Sequence, residues 1–223
     1  MEDKRFIKVT GKGTLRVKPD MTRIAVTLEG CYQVYEEALE HSSKDTEILK
    51  DILGRFGFAK EDVKTLSFQV NTKYESYQDK DNCWKERFVG YEFRHVLKVE
   101  FDSDNERLGK VLYALANAEK IKPEFRLSYT VKDREASKNE LLGKAVEDAK
   151  AKAAVLTNAA GVDLLQIQSI DYSWGEIDFE CSPMMDGCGA PMMARKAKGA
   201  YDMNIEPDDI EVSDSVTVVW EII

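Results

Sequence analysis

From Tyr91 to Phe101 the residues at every second position, Tyr91, Phe93, His95, Leu97, Val99 and Phe101, alternate with Glu92, Arg94, Lys98 and Glu100. Successive side chains of an extended strand point to opposite faces, so a period of two describes a strand with one covered and one solvated side. Such a strand needs neighbours in a sheet and a layer to cover its apolar side. The same alternation recurs through Ile24, Val26 and Leu28, through Leu66, Phe68 and Val70, through Phe125, Leu127, Tyr129 and Val131, and through Val216, Val218, Trp220 and Ile222. Each is expected to be half-buried. In one place the phase slips: Leu165 and Ile167 are odd, Ile170, Tyr172 and Trp174 even. A β-bulge near Gln168 or Ser169 accounts for the switch.

Three segments carry the helical period instead. Between residues 33 and 56 it runs through Val34, Ala38, Leu49, Ile52, Leu53 and Phe56. Ser103-Asp104-Asn105-Glu106 has capping-box spacing ahead of Leu108, Val111, Leu112 and Leu115. The third helix spans about residues 134 to 160 with Leu141, Ala145, Ala149, Ala153, Leu156 and Ala160, and stops at Gly161, a natural C′ residue. The order β-β-α-β-β-α-β-α-β-β favours an α+β fold of antiparallel sheets with helices packed on one face. A helix followed by a strand recurs as Phe56 to Tyr77 and Leu156 to Trp174, a faint internal repeat.

The 223 residues carry a formal net charge of −9, which repels a phosphate backbone unless cations converge. Arg195, Lys196 and Lys198 form the one short basic run, and acidic residues from Glu206 to Glu211 follow it. No nucleic acid is expected as a partner. No apolar run approaches the roughly 18 residues that span a bilayer, so membrane insertion is not expected either. Met1-Glu2-Asp3-Lys4-Arg5 leads into a strand pattern, and Cys31, Cys83, Cys181 and Cys188 are too few for a disulfide scaffold. Both features point to the cytoplasm.

Candidate catalytic groups are scarce. A nucleophile–base pair would have to use His41 or His95. His95 lies on the apolar side of its strand, where a packed histidine with a local hydrogen-bond partner is the expectation; His41 falls among Glu37, Glu40 and Lys44, as on a solvated face. Gly11-Lys12-Gly13 lacks the further glycines and the helix start of a phosphate loop, and reads as strand flexibility or a bulge. No catalytic residue and no cofactor follows. The Cys181 to Met193 stretch supplies soft ligands, Cys181, Cys188, Met184 and Met185, for a metal such as Cu(I), yet its Cys-x6-Cys spacing matches no zinc knuckle.

Two segments stand apart within a single domain spanning residues 1–223. One is the long Cys/Met/Gly/Pro loop at about 176–211. The other is a hairpin tip at about 78–88, between strands expected over about 65–77 and 89–101. Its charged surround holds Trp84 and Phe88 beside Tyr74 and Tyr77, a pattern of aromatic anchors with a polar rim. These four residues are the candidate interface, and a homo-oligomer is the expected assembly.

Over nearly its full length the chain resembles the SIMPL family, domain of unknown function 541. The residues that carry the resemblance are Ile7-x-Val9-x-Gly11-x-Gly13, then Val17-x-Pro19-Asp20, Gly90-Tyr91, and the Ala- and Lys-rich helix Lys144-Ala145-Val146, Asp148-Ala149, Lys152-Ala153, Leu156 ending Ala160-Gly161-Val162. Pro191-Met192-Met193-Ala194-Arg195 and Val216 to Glu221 are also similar. The resemblance implies an α+β fold with no assigned enzymatic activity. It also implies relatives that assemble into large rings, relatives that are exported, and some linked to stress tolerance. The expectation is therefore a non-enzymatic assembly or binding protein that self-associates, with a soft-metal or redox-responsive role for the Cys/Met loop as the alternative.

Overall fold

The computed structural model describes residues 4–172, 177–182 and 205–223. In chain order its elements are β1 (Arg5–Val17), β2 (Met21–Tyr32), α1 (Tyr35–Gly54), β3 (Lys64–Gln78), β4 (Trp84–Asp102), α2 (Asn105–Ala116), β5 (Glu124–Thr130), α3 (Arg134–Ala160), β6 (Leu164–Asp171), β7 (Glu180–Cys181) and β8 (Ile210–Ile222). The α+β class and the element order are those read from the alternation, with the two-residue β7 added. By contacts the chain divides into two units. The inserted unit is built on Met21–Tyr129, and the terminal unit on Met1–Asp20, Thr130–Cys181 and Pro207–Ile223.

In the inserted unit the strand order is β3-β4-β2-β5. The ladder between β2 and β4 is antiparallel and unbroken from Met21↔Asp102 to Tyr32↔Tyr91. It places Ile24, Val26 and Leu28 on the same face as Phe93, Leu97, Val99 and Phe101, and α1 and α2 close that face with Leu49, Leu53, Leu108, Val111 and Leu115. Burial of this order stabilises each such side chain by about 1.5–3 kcal/mol. Helix α2 starts one residue later than the capping-box spacing indicates: the Asp104 carboxylate accepts from the Arg107 backbone N–H at 3.0 Å. Asp104, itself a favoured N-cap residue whose charge suits the helix N-terminus, takes that role in place of Ser103.

In the terminal unit β8 lies between β1 and β6, and α3 packs on the side carrying Val9, Val216, Val218 and Trp220. Asp133 caps α3 by accepting from Ala136 N–H at 2.8 Å, and Gly161, at φ 69°, ends it in the left-handed conformation expected of a C′ glycine. The β1–β8 register runs without interruption from Arg5↔Ile222 to Val17↔Ile210, so Gly11 and Gly13 mark neither a bulge nor a flexible point. They are there for contact. A Cβ on Gly11 would lie 2.1 Å from the Ala145 carbonyl oxygen, and one on Gly13 would lie 2.2 Å from that of Leu141. The fully buried Ala145, Ala149 and Ala153 complete a backbone-to-backbone approach that larger residues would prevent.

The bulge expected in β6 is present, because Ile167 pairs with Trp220 while Ser169 pairs with Val219, leaving Gln168 unmatched; a second irregularity falls between Leu164 and Ile167. Trp174 lies outside the described residues. One expectation fails in β3: Leu66 is 51% and Phe68 44% exposed, although their alternation marks a covered face. Leu66 is the unmatched residue of a bulge between Thr65 and Ser67, and β3 is the outermost strand of a sheet on which α1 packs chiefly against β2 and β4.

Candidate functional site

Beyond Tyr32↔Tyr91 the β2 ladder ends, and β3 and β4 continue as a two-stranded ribbon to Gln78↔Trp84. Strand β4 begins at Trp84, five residues before the expected start, because the turn is shorter than the charged segment around it. The Asp79 carboxylate accepts from the N–H groups of Asp81 (2.9 Å) and Cys83 (3.0 Å), Asn82 takes a positive φ of 59°, and Lys85 pairs with Asp79 at 2.7 Å. The Lys85 hydrogen bond first, then the two N–H groups, hold the Asp79 carboxyl below its ordinary range.

At the base of the ribbon Lys73 pairs with Gly90 and Tyr74 with Phe88, so Val89 is an extra residue in β4. Gly90 sits at φ 155°, and a Cβ there would come within 2.4 Å of the Tyr32 carbonyl oxygen. The Gln33 side-chain amide donates to the Val89 carbonyl and pins the bulge. An extra residue reverses the facing of everything beyond it. Phe88 and Trp84 therefore continue the helix side of the sheet, the side of Tyr91 and Phe93. The rings follow suit: Tyr74 meets Phe88 at 5.8 Å, Phe88 meets Tyr91 at 5.3 Å, and Tyr91 meets Tyr35 at 5.5 Å, all edge to face. Trp84 is 73% and Tyr74 57% exposed.

Of the four candidate interface residues, Tyr74, Phe88 and Trp84 share one face. Tyr77 falls on the other, beside the Arg87–Glu75 pair at 2.7 Å. Tyr35 and Tyr91 belong to the aromatic row and escaped the sequence reading, since only the bulge brings the start of α1 and the ribbon into one line.

His95 is packed as expected. Thr46 Oγ1 donates to the Ser42 carbonyl at 2.8 Å, so it accepts from His95 Nδ1 at 3.1 Å, leaving Nε2 to accept from the Thr65 hydroxyl at 2.9 Å. The imidazole thus ties α1 to β3, with the Ser42 hydroxyl also 3.5 Å from Nδ1, and its pKa is lowered by burial and then by Lys50. His41 departs from the solvated reading by stacking on Tyr32 at 4.2 Å and 9°. Burial first, then Asp45 and Glu37, raise the pKa of the Tyr32 phenol.

Among the described residues no three His, Cys, Asp or Glu side chains gather to hold a metal. Of the soft-ligand candidates, Cys188, Met184 and Met185 lie outside the described residues, as do most of the 176–211 loop and its basic run. The Cys181 thiol donates to the Asp208 carbonyl at 3.4 Å, and burial, then Asp208 and Glu180, push its pKa up, away from the thiolate that binds metal. A groove of about 450 Å³ between α1 and α2 is lined by Ile48, Ile52, Phe56 and Tyr113, with Asp51 and Lys120 among its charges. No described helix is long and apolar enough to cross a membrane.

The fold and this surface define an α+β protein whose distinctive feature is an aromatic ribbon rather than a reactive cluster. The chain belongs to the SIMPL family, described as a protein of unknown function (DUF541), which it matches over residues 7–220. Proteins of Brucella melitensis and Brucella abortus, each named 26 kDa periplasmic immunogenic protein, are 25% identical to it over 216 residues, covering 97% of this chain and 84% of each relative. Those names overturn the cytoplasmic expectation. It rested on the first residues and on the number of cysteines, and a folded domain keeps no record of a segment that export removes.

Proposed function

We propose that this protein is a non-enzymatic assembly or binding protein that self-associates through the β3–β4 ribbon and works outside the cytoplasm. The observation that carries the reading is the aromatic row of exposed Trp84, Phe88, Tyr74 and Tyr35 joined through half-buried Tyr91, with the ribbon residues turned to one face by the Val89 bulge. Large rings rimmed by charge are the usual centre of a protein interface. The periplasmic names of the Brucella relatives support the compartment.

Light scattering on the wild type and on a Trp84→Ala, Phe88→Ala double variant tests the reading. The wild type is expected to exceed monomer mass at micromolar concentration and the double variant to fall toward it. A wild type that stays monomeric at high micromolar concentration removes self-association. An oligomer indifferent to the double substitution removes the ribbon from it.

A further inference from the structure

Strand β3 ends its sheet, and among the described residues the edge facing away from β4 has no neighbouring strand. From Ser67 to Gln78 its pairing advances one residue at a time, because the extra residue of the ribbon, Val89, belongs to β4. At about 3.3 Å per residue this gives roughly 40 Å of regular edge, whose outward N–H and C=O groups are the kind that a further strand can pair with. Between Ser67 and Gln78 the charged residues are Lys73 and Glu75, one on either side of Tyr74.

We propose that two copies of this chain pair β3 with β3, antiparallel, about a two-fold axis through Tyr74, so that Lys73 of each copy faces Glu75 of the other. The inference rests on the self-association reading and specifies its geometry. Residues opposite one another across an antiparallel pair lie on the same face. Registers that keep the helices of both copies on one side therefore match even positions with even and odd with odd. Among these, the register about Tyr74 is the one that sets opposite charges across the junction. Centred on Thr72, Lys73 would face Asn71; centred on Ser76, Glu75 would face Tyr77.

The intrachain pairs extend the pattern. Arg87 holds Glu75, and Lys73 holds Glu92. Across the junction the solvent face then reads Arg87, Glu75, Lys73 and Glu92, with alternating sign and the last two from the second copy. On the helix side Tyr74 meets its symmetry mate, each already against its own Phe88. Exposed charge pairs contribute little affinity. Here they select the register, while backbone hydrogen bonds and the rings supply the attraction.

The test uses Lys73→Glu and Glu75→Lys in the full chain, by sedimentation across a concentration series. Alone, each variant sets like charges opposite one another twice, and its self-association should weaken about tenfold. Mixed in equal amounts, the two restore both opposite-charge contacts in the heterodimer, and association should return toward the wild-type level. Recovery on mixing also shows that both variants are folded. If the wild type associates but mixing recovers nothing, β3 pairing is wrong while self-association stands. If the wild type is monomeric at high micromolar concentration, both readings fall together.

Discussion

His95 shows how a residue on an apolar strand face is kept: hydroxyls of Thr46 and Thr65 satisfy its two ring nitrogens. Replacing it with Gln should cost about 1–3 kcal/mol, since a part-buried hydroxyl loses its partner. Because the folded pKa lies below the ordinary 6.5, the unfolded chain binds the proton more readily. The neutral imidazole's contribution is whole above about pH 6.5 and declines as pH falls toward the folded value. Urea midpoints at pH 7.5 and 5.5 check this: the wild type should lose more stability over that interval than His95→Gln, and equal losses would refute it. Cys181 makes a second case. With the pKa of its thiol raised and Cys31 and Cys83 more exposed, Cys181 should be labelled by iodoacetamide at pH 7.5 after those two, as read by peptide mass spectrometry; labelling of Cys181 ahead of Cys31 and Cys83 would contradict its partial burial.

Among the elements, α3 against β1 is the closest packing in the terminal unit. Gly11→Ala drives a methyl group into the Ala145 carbonyl, an overpacking that should cost about 1–3 kcal/mol or more. Gly143→Ala, on the same helix with open space around its Cβ position, should instead be neutral or stabilise by up to about 1 kcal/mol. Chemical denaturation of the two variants separates contact from propensity: equal effects would mean that the glycines of β1 are not packing positions. The capping-box spacing at Ser103 and the alternation of β3 were both legible, yet each misled in detail. The cap moved to Asp104, and Leu66 and Phe68 of β3 stayed exposed because the strand's position at the sheet edge is set by partners far away in sequence.

At the scale of the molecule, the inserted unit owns a core, from Ile24 through Ile121, that shares no residue with the clusters around Val218 or Phe179 in the terminal unit. A fragment comprising residues 21–129 should therefore unfold cooperatively on its own. Far-UV circular dichroism through a urea titration measures it, and a fragment with no transition would show that its core needs the rest of the chain. The sequence by itself determined the element types and their order, the stop of α3 at Gly161, the β6 bulge and the packed state of His95. Those follow from local periodicity, local turn chemistry and burial phase. Only the tertiary structure decided which strand became an edge, why Gly11 and Gly13 are glycines, and that Trp84, Phe88 and Tyr74 share a face while Tyr77 does not. Each of these depends on contacts between residues distant in sequence, and in the last case on one extra residue, Val89, whose effect on facing appears only once its partner strand is in place.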